Sequence, residues 1–318
     1  MEPPRSPHRS HSQIIVAPSV RKRKRCPSTR QVIGEGYKRR TRGNDLPPSL
    51  LTPTRPRARR ARRRASSRRA SRRGSTEVGK AIQRRLAGTG KRLTLELGGK
   101  AANIVFDDCA LDQAVEGIVN GIYFNQGHVC CAGSRLFVQE SIYEPLVAKL
   151  ERRLTTLRVG DPLDKNTDVG AINSAMQLEK IRELVASGEE EGAEIYQPPC
   201  RLPEKGYWFA PTVFTNVAQS YRIAQEEIFG PVLSVLTFRT PEEAVEKANN
   251  TPYGLSAGVW TEKGSRILWA AQRLRAGVVW ANTFNRFDPT SPFGGYKESG
   301  FGREGGRHGL EPYLRFDE

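Results

Sequence analysis

Two cysteines and one glutamate are the residues of this sequence whose types and spacing could support covalent chemistry. Cys130 and Cys131 follow a glycine-containing loop in the segment FNQGHVCCAGSR, where backbone N–H groups can lower the pKa of a thiol and stabilise an oxyanion. Glu96 lies 34 residues before Cys130 in the segment LELGGK, at the end of a predicted strand, where the sites of α/β proteins assemble. A cysteine in apolar surroundings is more often a small core residue, and a strand-end carboxylate is often solvated. Spacing alone therefore leaves both interpretations open.

The elements that must position these residues are predicted from Gly74 onward, where helix and strand patterns alternate. Ser75 and Thr76 are candidate caps of a first helix, with Glu77 in its first turn. Strands are predicted at residues 93–97, 135–139, 232–238, 255–260 and 277–282. Further helices are predicted at residues 111–124, 142–157, 175–187, 241–249 and 265–274. Strands separated by helices of roughly 10–15 residues indicate an α/β fold with a largely parallel sheet covered on both faces.

Charge is divided unevenly along the chain. Residues 1–73 hold 23 of the 51 Lys and Arg residues and 3 of the 34 acidic residues, so residues 74–318 hold 28 and 31. The net charge of +17 is therefore +20 in the first segment and −3 in the remainder. A folded nucleic-acid-binding domain carries its basic residues on a packed scaffold. The slightly acidic remainder does not fit that class.

The basic segment, residues 1–73, contains the runs RKRKR and RPRARRARRRASSRRASRR. It has too few apolar residues to offset its chain entropy, so we predict that it is disordered. Four interpretations stay open: a nuclear localisation or RNA-binding tract, a mitochondrial transit peptide, a solvated tail without a role, and a stretch of GC-rich DNA read out of frame. Any binding of nucleic acid by such a segment is expected to be non-specific.

The cysteines and the apolar runs bear on the compartment. Five cysteines form an odd count without a CxxC pair, which favours reduced thiols inside a cell. They are Cys26, Cys109, Cys130, Cys131 and Cys200. No apolar run approaches the ~18 residues of a membrane span, and the N-terminus lacks a secretory signal. We expect a soluble protein with no membrane partner and no metal site, located in the cytoplasm, or in mitochondria or the nucleus if the basic segment is a targeting signal.

Five ordered segments carry a resemblance to a known family. They are LELGGK, FNQGHVCCAGSR, EEIFGPV, NNTPYGLSAGVWT and PFGGYKESGFGRE. In order and spacing they are similar to the signature runs of the aldehyde dehydrogenase superfamily. The resemblance covers about residues 74–314 and implies a remnant of the dinucleotide-binding domain at 74–99, the catalytic domain at 100–309 and a truncated C-terminal strand at 310–318. It also implies that most of the cofactor half expected ahead of residue 74 is missing.

The resemblance implies a role for each of the three reactive residues. Cys130 is the nucleophile, whose thiolate attacks an aldehyde to give a thiohemiacetal and, after hydride transfer, a thioester. Glu96 activates the water that hydrolyses the thioester, which places the protein in the hydrolytic branch of the family. Cys131 matches a variable position and is interpreted as a packing residue.

Cofactor and substrate residues are implied in the same way, with NAD or NADP as the cofactor. Glu227 grips the nicotinamide ribose hydroxyls, and Phe229 packs beside the nicotinamide. The other implied positions are Gly74 and Gly79 at the start of the cofactor-side helix, and Phe287 and Phe293 on the wall of the substrate tunnel. We interpret Glu226 as an exposed helix end. His128 is interpreted as a loop imidazole that points to solvent, rather than a group that assists formation of the thiolate.

Three functions stay open at this level. The first is NAD(P)-dependent oxidation of an aldehyde to a carboxylic acid, the second a non-catalytic fragment or interaction protein, and the third a polyanion-binding tail fused to a retained α/β body. The resemblance implies a homo-oligomer, although the oligomerisation strand is incomplete in this sequence. No residue identifies the aldehyde or distinguishes NAD from NADP.

Overall fold

The structure, a computed structural model, describes residues 13–16 and 69–314. Its strands in chain order are β1 (Gln13–Val16), β2 (Arg69–Arg73), β3 (Arg92–Glu96), β4 (Ala102–Val105), β5 (Arg135–Gln139), β6 (Glu194–Tyr196), β7 (Thr212–Thr215), β8 (Val232–Phe238), β9 (Tyr253–Gly254), β10 (Ser256–Trp260), β11 (Val278–Ala281), β12 (Tyr296–Lys297) and β13 (Gly300–Phe301). Its helices are α1 (Thr76–Leu86), α2 (Leu111–Tyr123), α3 (Tyr143–Leu154), α4 (Ala175–Glu190), α5 (Arg222–Gln225), α6 (Pro241–Asn249), α7 (Gly264–Arg273) and α8 (Gly306–Leu310). The described helices are too short or too polar to cross a membrane.

The large sheet has eight strands in the order β1-β11-β10-β4-β5-β8-β7-β6. Every pair is parallel except β6 with β7, which is antiparallel. Parallel neighbours require crossover connections, and helices between the strands supply most of them. The predicted α/β class with a largely parallel sheet is therefore confirmed.

The side chains of the central strands divide the core into two layers. Val105, Leu136 and Val138 pack into one apolar cluster with α2 and α3. Ile104 and Phe137 point the other way and pack into a second cluster with α6 and α7. Successive residues of a strand face opposite sides of a sheet, so a strand covered on both faces must be apolar at nearly every position. This burial fixes the strand ends from which the candidate site is built.

A second sheet has three strands in the order β13-β3-β2. Strand β2 is parallel to β3 and places Arg73 beside Glu96, whereas β13 is antiparallel to β3 and places Gly300 beside Glu96. The outer part of β3 is exposed at Arg92, and its last three residues are buried. Glu96 therefore lies in the middle of a short sheet, at the buried end of its central strand.

Local signals explain why the helices begin where they do. Ser75 caps α1 by accepting a hydrogen bond from the N–H of Val78, as its sequence position predicts. Thr240 caps α6, and Pro241 occupies its first turn, where a missing N–H costs nothing. The predicted bounds of α6, β5 and β8 are those observed.

Two predictions at the ends of the family-like region need correction. Residues 13–16 and 69–73 were expected in the disordered segment, yet both form strands. Strand β1 pairs with β11 at the edge of the large sheet, and β2 is held by main-chain pairing with β3 rather than by apolar side chains. Residues 310–314 were expected to begin a strand, but Gly306–Leu310 is helical and Glu311–Tyr313 is a 3-10 turn. Pro312 has no N–H to donate to a strand ladder, which disfavours the strand. Most of the predicted disordered segment, with Cys26, lies outside the described residues.

Candidate active site

Glu96 is a buried carboxyl group without a hydrogen-bond partner among the described residues, for either oxygen. A Cβ placed on Gly294 would lie 2.9 Å from the Oε1 atom of Glu96, so the segment after Phe293 closes over this carboxyl group. Burial raises the pKa of Glu96 to about 8, and the negative charges of Cys130 and Glu304 add to this effect. A carboxyl group with such a pKa can accept a proton near neutral pH.

The loop before Cys130 has an uncommon backbone conformation. Asn125, Gln126 and Gly127 are consecutive residues with φ values of 51°, 46° and 75°. Left-handed conformations at non-glycine residues cost free energy and persist where the surrounding structure enforces them. Here the loop is held against a second chain segment, because a Cβ on Gly127 would lie 2.0 Å from the carbonyl oxygen of Gly230. The cysteine loop and the EEIFGPV segment are thus packed backbone to backbone.

The two adjacent cysteines differ in their environment. Cys130 is half-buried, and a hydrogen bond from the Cys131 thiol lowers its pKa. The charge of Arg73 also lowers this pKa, whereas burial and the charge of Glu227 raise it. Cys131 is buried in the core, and its pKa is raised well above the usual range by the same hydrogen bond and by burial. Its Sγ atom also lies 3.4 Å from Oδ1 of Asn285. Cys130 is therefore the thiol that ionises first.

Glu227 meets the cysteine loop through Gly99. The N–H of Gly99 donates to Oε1 of Glu227 over 3.0 Å. A Cβ on Gly99 would lie 2.3 Å from the carbonyl oxygen of Cys130, so no side chain fits there. Residues 97–100 therefore join the end of β3, which carries Glu96, to both Cys130 and Glu227. Burial raises the pKa of Glu227, and the hydrogen bond from Gly99 opposes that shift.

The structure separates Glu226 from its neighbour. Glu226 is exposed and forms an ion pair with Arg222 at 2.7 Å. This placement agrees with its interpretation as a surface residue at a helix end, since α5 ends one residue earlier. Two adjacent acids of one motif thus lie in different environments.

Phe229 and His128 pack against each other, with ring centroids 5.1 Å apart and the rings nearly perpendicular. The backbone of Phe229 has φ 55°, and its carbonyl accepts a hydrogen bond from Gln177 at 3.1 Å. Both ring nitrogens of His128 are buried and have no hydrogen-bond partner in the described part of the chain. The expectation that this imidazole points to solvent is therefore wrong. Burial lowers its pKa.

Gly74 and Gly79 attach α1 to the strand that carries Glu96. The N–H of exposed Gly74 donates to the carbonyl oxygen of Glu96 over 3.1 Å. Gly79 is buried, and a Cβ there would lie 2.5 Å from Cδ1 of Leu97. Both glycines thus lie beside the candidate site, Gly74 at the open start of the helix and Gly79 at its packed face.

The two predicted tunnel residues lie side by side. The ring centroids of Phe287 and Phe293 are 5.2 Å apart, and that of Trp280 lies 5.5 Å from Phe287. Phe287 is exposed and Phe293 is half-buried. The backbone of Phe293 pairs in both directions with Glu304, which places this aromatic pair near the segment that closes over Glu96.

Two charged residues near Glu96 were missed by sequence reasoning. Arg73 is paired with Glu304, and Ser71 also donates to Glu304, at 3.2 Å. Arg73 is one of 23 basic residues before Gly74, so nothing in the sequence distinguishes it from the others. Glu304 is the last residue of the final family-like motif and carried no assigned role.

Lys100, also missed, is a buried cation. It is 2% exposed, and its Nζ atom has no hydrogen-bond partner in the described ranges. Burial and the charge of Arg135 lower its pKa to about 7, while the charge of Glu227 acts in the opposite direction. An apolar side chain at the same place would avoid this desolvation.

With this geometry in place, comparison with known proteins identifies the family. Residues 60–317 match the model of the aldehyde dehydrogenase family. The chain is 47% identical over 240 residues to a putative aldehyde dehydrogenase of Bacillus subtilis, covering 76% of this chain and 48% of that protein. It is 48% identical over 241 residues to human retinal dehydrogenase 2, covering 76% of this chain and 46% of that protein. The chain spans about half the length of the curated relatives it matches.

Solved structures agree with this assignment. An NAD-dependent aldehyde dehydrogenase from Sinorhizobium meliloti superposes with a TM-score of 0.76 at 44% identity, covering 78% of this chain and 50% of the other. Betaine aldehyde dehydrogenase from Staphylococcus aureus in complex with NAD+ superposes with a TM-score of 0.75 at 40% identity, with coverage of 78% and 50%.

Proposed function

Because the chain belongs to the aldehyde dehydrogenase family, we propose that it oxidises an aldehyde to a carboxylic acid with NAD(P)+. The observation that carries the proposal is the meeting of three groups around residues 97–100. Glu96 ends the strand before this segment, the carbonyl of Cys130 packs on Gly99, and Glu227 accepts a hydrogen bond from Gly99. A nucleophile, a base and a cofactor-binding carboxylate thereby share one rigid support.

The first half of the reaction is assigned to Cys130. Its thiolate attacks the aldehyde carbon, a C–S bond forms, and the carbonyl electron pair moves onto oxygen, where backbone N–H groups of the loop stabilise it. Return of that pair would transfer a hydride from the same carbon to NAD(P)+, the acceptor when bound, and would leave a thioester on Cys130. The lowered pKa of Cys130 supports this role, because only the thiolate is nucleophilic.

The second half is assigned to Glu96. Its carboxylate removes a proton from water, the hydroxide attacks the thioester carbon, and the C–S bond breaks to release the carboxylic acid and the Cys130 thiolate. The pKa of about 8 for Glu96 supports this role, since a more acidic carboxyl group would be a poor base.

The chain's own residues fit the nicotinamide end of NAD(P)+, which, when bound, supplies the hydride acceptor. Glu227 is half-buried with one oxygen fixed by Gly99, which suits it to hold ribose hydroxyls. Phe229 would pack beside the nicotinamide. Gly74 and Gly79 belong to the start of α1, a type of helix end that suits phosphate groups. NAD is supported over NADP only by the relatives whose descriptions name it.

The remaining assignments are coarser. Phe287 and Phe293 would line the path of the aldehyde, residues 74–99 would belong to the dinucleotide-binding part, and residues 100–309 to the catalytic part. We also propose a cytoplasmic location and a homo-oligomeric assembly. The four cysteines within the described ranges are free thiols, which supports a reducing compartment.

Two assays on the purified chain test the proposal. Aldehyde-dependent formation of NADH that is lost in Cys130→Ala supports it, and hydrolysis of a p-nitrophenyl ester reports the nucleophile without needing the cofactor. Ester hydrolysis should vanish in Cys130→Ala and persist in Cys131→Ala. Ester hydrolysis without any NADH formation would favour the alternative in which this chain keeps the site but does not act as a dehydrogenase.

A second candidate function rests on charge. The 23 basic residues among residues 1–73 favour non-specific binding of polyanions, with an affinity that falls steeply as salt rises. Filter binding of unrelated single-stranded oligonucleotides at increasing KCl measures this. Affinity that depends on sequence and resists salt would contradict it.

A further inference from the structure

Arg73 occupies a defined place beside the candidate site. It is the last residue of β2 and pairs in register with Glu96 on β3. The next residue, Gly74, donates its N–H to the carbonyl oxygen of Glu96. Alternate residues of a strand face the same side. Ser71 and Arg73 accordingly both contact Glu304, and Arg72 between them faces the other way.

Glu304 connects this guanidinium to the segment that closes over Glu96. Its backbone exchanges hydrogen bonds of 2.7 and 2.8 Å with Phe293, so its position is fixed. The residue after Phe293 is Gly294, whose Cβ position lies 2.9 Å from Oε1 of Glu96. The ion pair of Arg73 and Glu304 therefore lies at the exposed rim of the segment that closes over Glu96.

Cys130 lies against the segment that follows Glu96, because a Cβ on Gly99 would lie 2.3 Å from its carbonyl oxygen. Charged and titratable groups from four parts of the chain act on its thiol. Cys131 comes from its own loop, Glu227 from the segment after α5, Glu96 from β3, and Arg73 from β2. The pKa of Cys130 is lowered chiefly by the hydrogen bond from Cys131 and also by the charge of Arg73, while burial and the charge of Glu227 raise it. In turn, the charges of Cys130 and Glu96 raise the pKa of Arg73.

Two further charged residues, Arg303 and Glu304, shift the pKa of Glu96 in opposite directions. The charge of Glu304 raises the pKa of Glu96, and that of Arg303 lowers it. The pKa of Arg73 is raised chiefly by its hydrogen bond to Glu304.

We propose that Arg73 is a positioning residue of the site, whose guanidinium, held at the rim by Glu304, favours the thiolate form of Cys130. The inference rests on the proposed role of Cys130 as the nucleophile. Arg73 touches no reacting atom, and it acts through its charge. Because 75% of its side chain is exposed, water and salt weaken this effect, and the expected shift is smaller than that of a buried ion pair.

The pH dependence of Cys130 alkylation tests the proposal. Iodoacetamide reacts with the thiolate, and tandem mass spectrometry distinguishes Cys130 from Cys131. In Arg73→Gln the midpoint should rise by roughly half a unit, which slows alkylation about threefold below the midpoint. Arg73→Lys should restore most of the rate. The matched control is Arg72→Gln, which removes the same charge from the opposite face of the strand and should leave the midpoint unchanged.

The role of Glu304 in holding the guanidinium of Arg73 is tested by a double-mutant cycle with Glu304→Gln. If Glu304 holds the guanidinium in place, the shift caused by Arg73→Gln should fall to roughly half or less in that background. Equal midpoints of Cys130 alkylation in Arg73→Gln and Arg72→Gln would overturn the proposal. An undiminished shift in the Glu304→Gln background would show that Glu304 does not hold Arg73 in place.

One measurement needs no variant. Added KCl should raise the midpoint of Cys130 in the unaltered chain, because it screens exposed Arg73 more than half-buried Glu227. A midpoint that stays constant or falls with salt contradicts the proposal. Alkylation does not depend on turnover, so loss of ester hydrolysis in Cys130→Ala and the shift in Arg73→Gln are judged independently.

Discussion

The two sheets of the molecule are held together in different ways. All four residues of β4 in the large sheet are buried, and helices cover both of its faces. In the small sheet, residues 71–73 of β2 are exposed, and the strand is held by main-chain pairing and by the contacts of Ser71 and Arg73 with Glu304. The large sheet is thus specified by its apolar side chains, whereas the small one depends on its neighbours.

The candidate site takes residues from both. Glu96 ends the central strand of the small sheet, while Cys130 and Glu227 lie in loops that precede strands of the large sheet. Residues 97–100 form the junction. Substitutions of the charged groups that face the junction should therefore alter chemistry, while substitutions within the junction should alter stability.

The largest expected effect is that of Glu96→Gln, on the small-sheet side. General-base catalysis contributes on the order of 10²–10⁴-fold, so steady-state ester hydrolysis should fall by about that factor. The acylation burst should persist, because Glu96 is assigned to deacylation. In the unaltered chain, deacylation should rise with pH through a midpoint at or somewhat below 8, since the carboxylate is the active form and acylation removes the charge of the Cys130 thiolate. Stopped-flow release of p-nitrophenol measures both phases.

A burst that disappears together with turnover would show that Glu96 acts on acylation as well. A pH profile of Glu96→Gln that keeps the rise near pH 8 would assign that proton to another group.

The second effect concerns the junction itself. Gly99→Ala adds a Cβ that would lie 2.3 Å from the carbonyl oxygen of Cys130. Backbone cannot retreat as a flexible side chain does, so the free energy of unfolding should fall by about 3 kcal/mol. The matched control is Gly264→Ala at the start of α7, where a Cβ meets no atom within 4 Å. Urea denaturation of the two variants compares them, and equal stabilities would contradict the close packing at the junction.

The third effect lies at the large-sheet end of the junction. Lys100→Met replaces a buried amine, which has no hydrogen-bond partner among the described residues, by an apolar side chain of similar length. This change should stabilise the fold by about 2 kcal/mol at pH 7. The pKa of Lys100 is about 7 in the folded chain, against an ordinary value of 10.5. Between these values the unfolded chain binds more protons, so the native chain loses stability as pH falls from about 10.5 to 7.

The gain from Lys100→Met should therefore grow over that interval and stay constant below pH 7. Lys165→Met, at an exposed loop position, is the control and should show no such pH dependence. Thermal unfolding between pH 6 and 10 measures both, and a gain that is equal at every pH would show that Lys100 is not desolvated.

The same contrast explains what the sequence could predict. Strands β5 and β8 and helix α6 were predicted with their observed bounds, because an apolar run or a capping residue marks each of them. Strand β4 is only four residues long and follows the LELGGK segment almost directly. It was missed although it is fully buried. Strand β2 has one apolar residue, so no hydrophobic pattern could reveal it.

The site shows a similar division. Cys130 and Glu96 were paired through family resemblance, since their spacing alone left solvated or core roles open. The ion pair of Arg73 with Glu304 spans 231 residues and lies on a polar surface, where hydrophobic periodicity carries no information. The buried imidazole of His128 was also mispredicted, because its burial comes from Phe229, which is distant in sequence.

The smallest expected effect distinguishes two adjacent acids on the large-sheet side. Glu227 faces the junction, and its charge raises the pKa of Cys130, whereas Glu226 is exposed and paired with Arg222. Glu227→Gln keeps an oxygen that can accept the N–H of Gly99 but removes the charge, so the pKa of Cys130 should fall and alkylation at pH 7 should accelerate about twofold. Glu226→Gln should leave that rate unchanged and should hardly alter the free energy of unfolding, because exposed ion pairs contribute little. Equal alkylation rates in the two variants would mean that the charge of Glu227 does not affect the pKa of Cys130. Glu227 and the cysteine loop would then interact through packing alone.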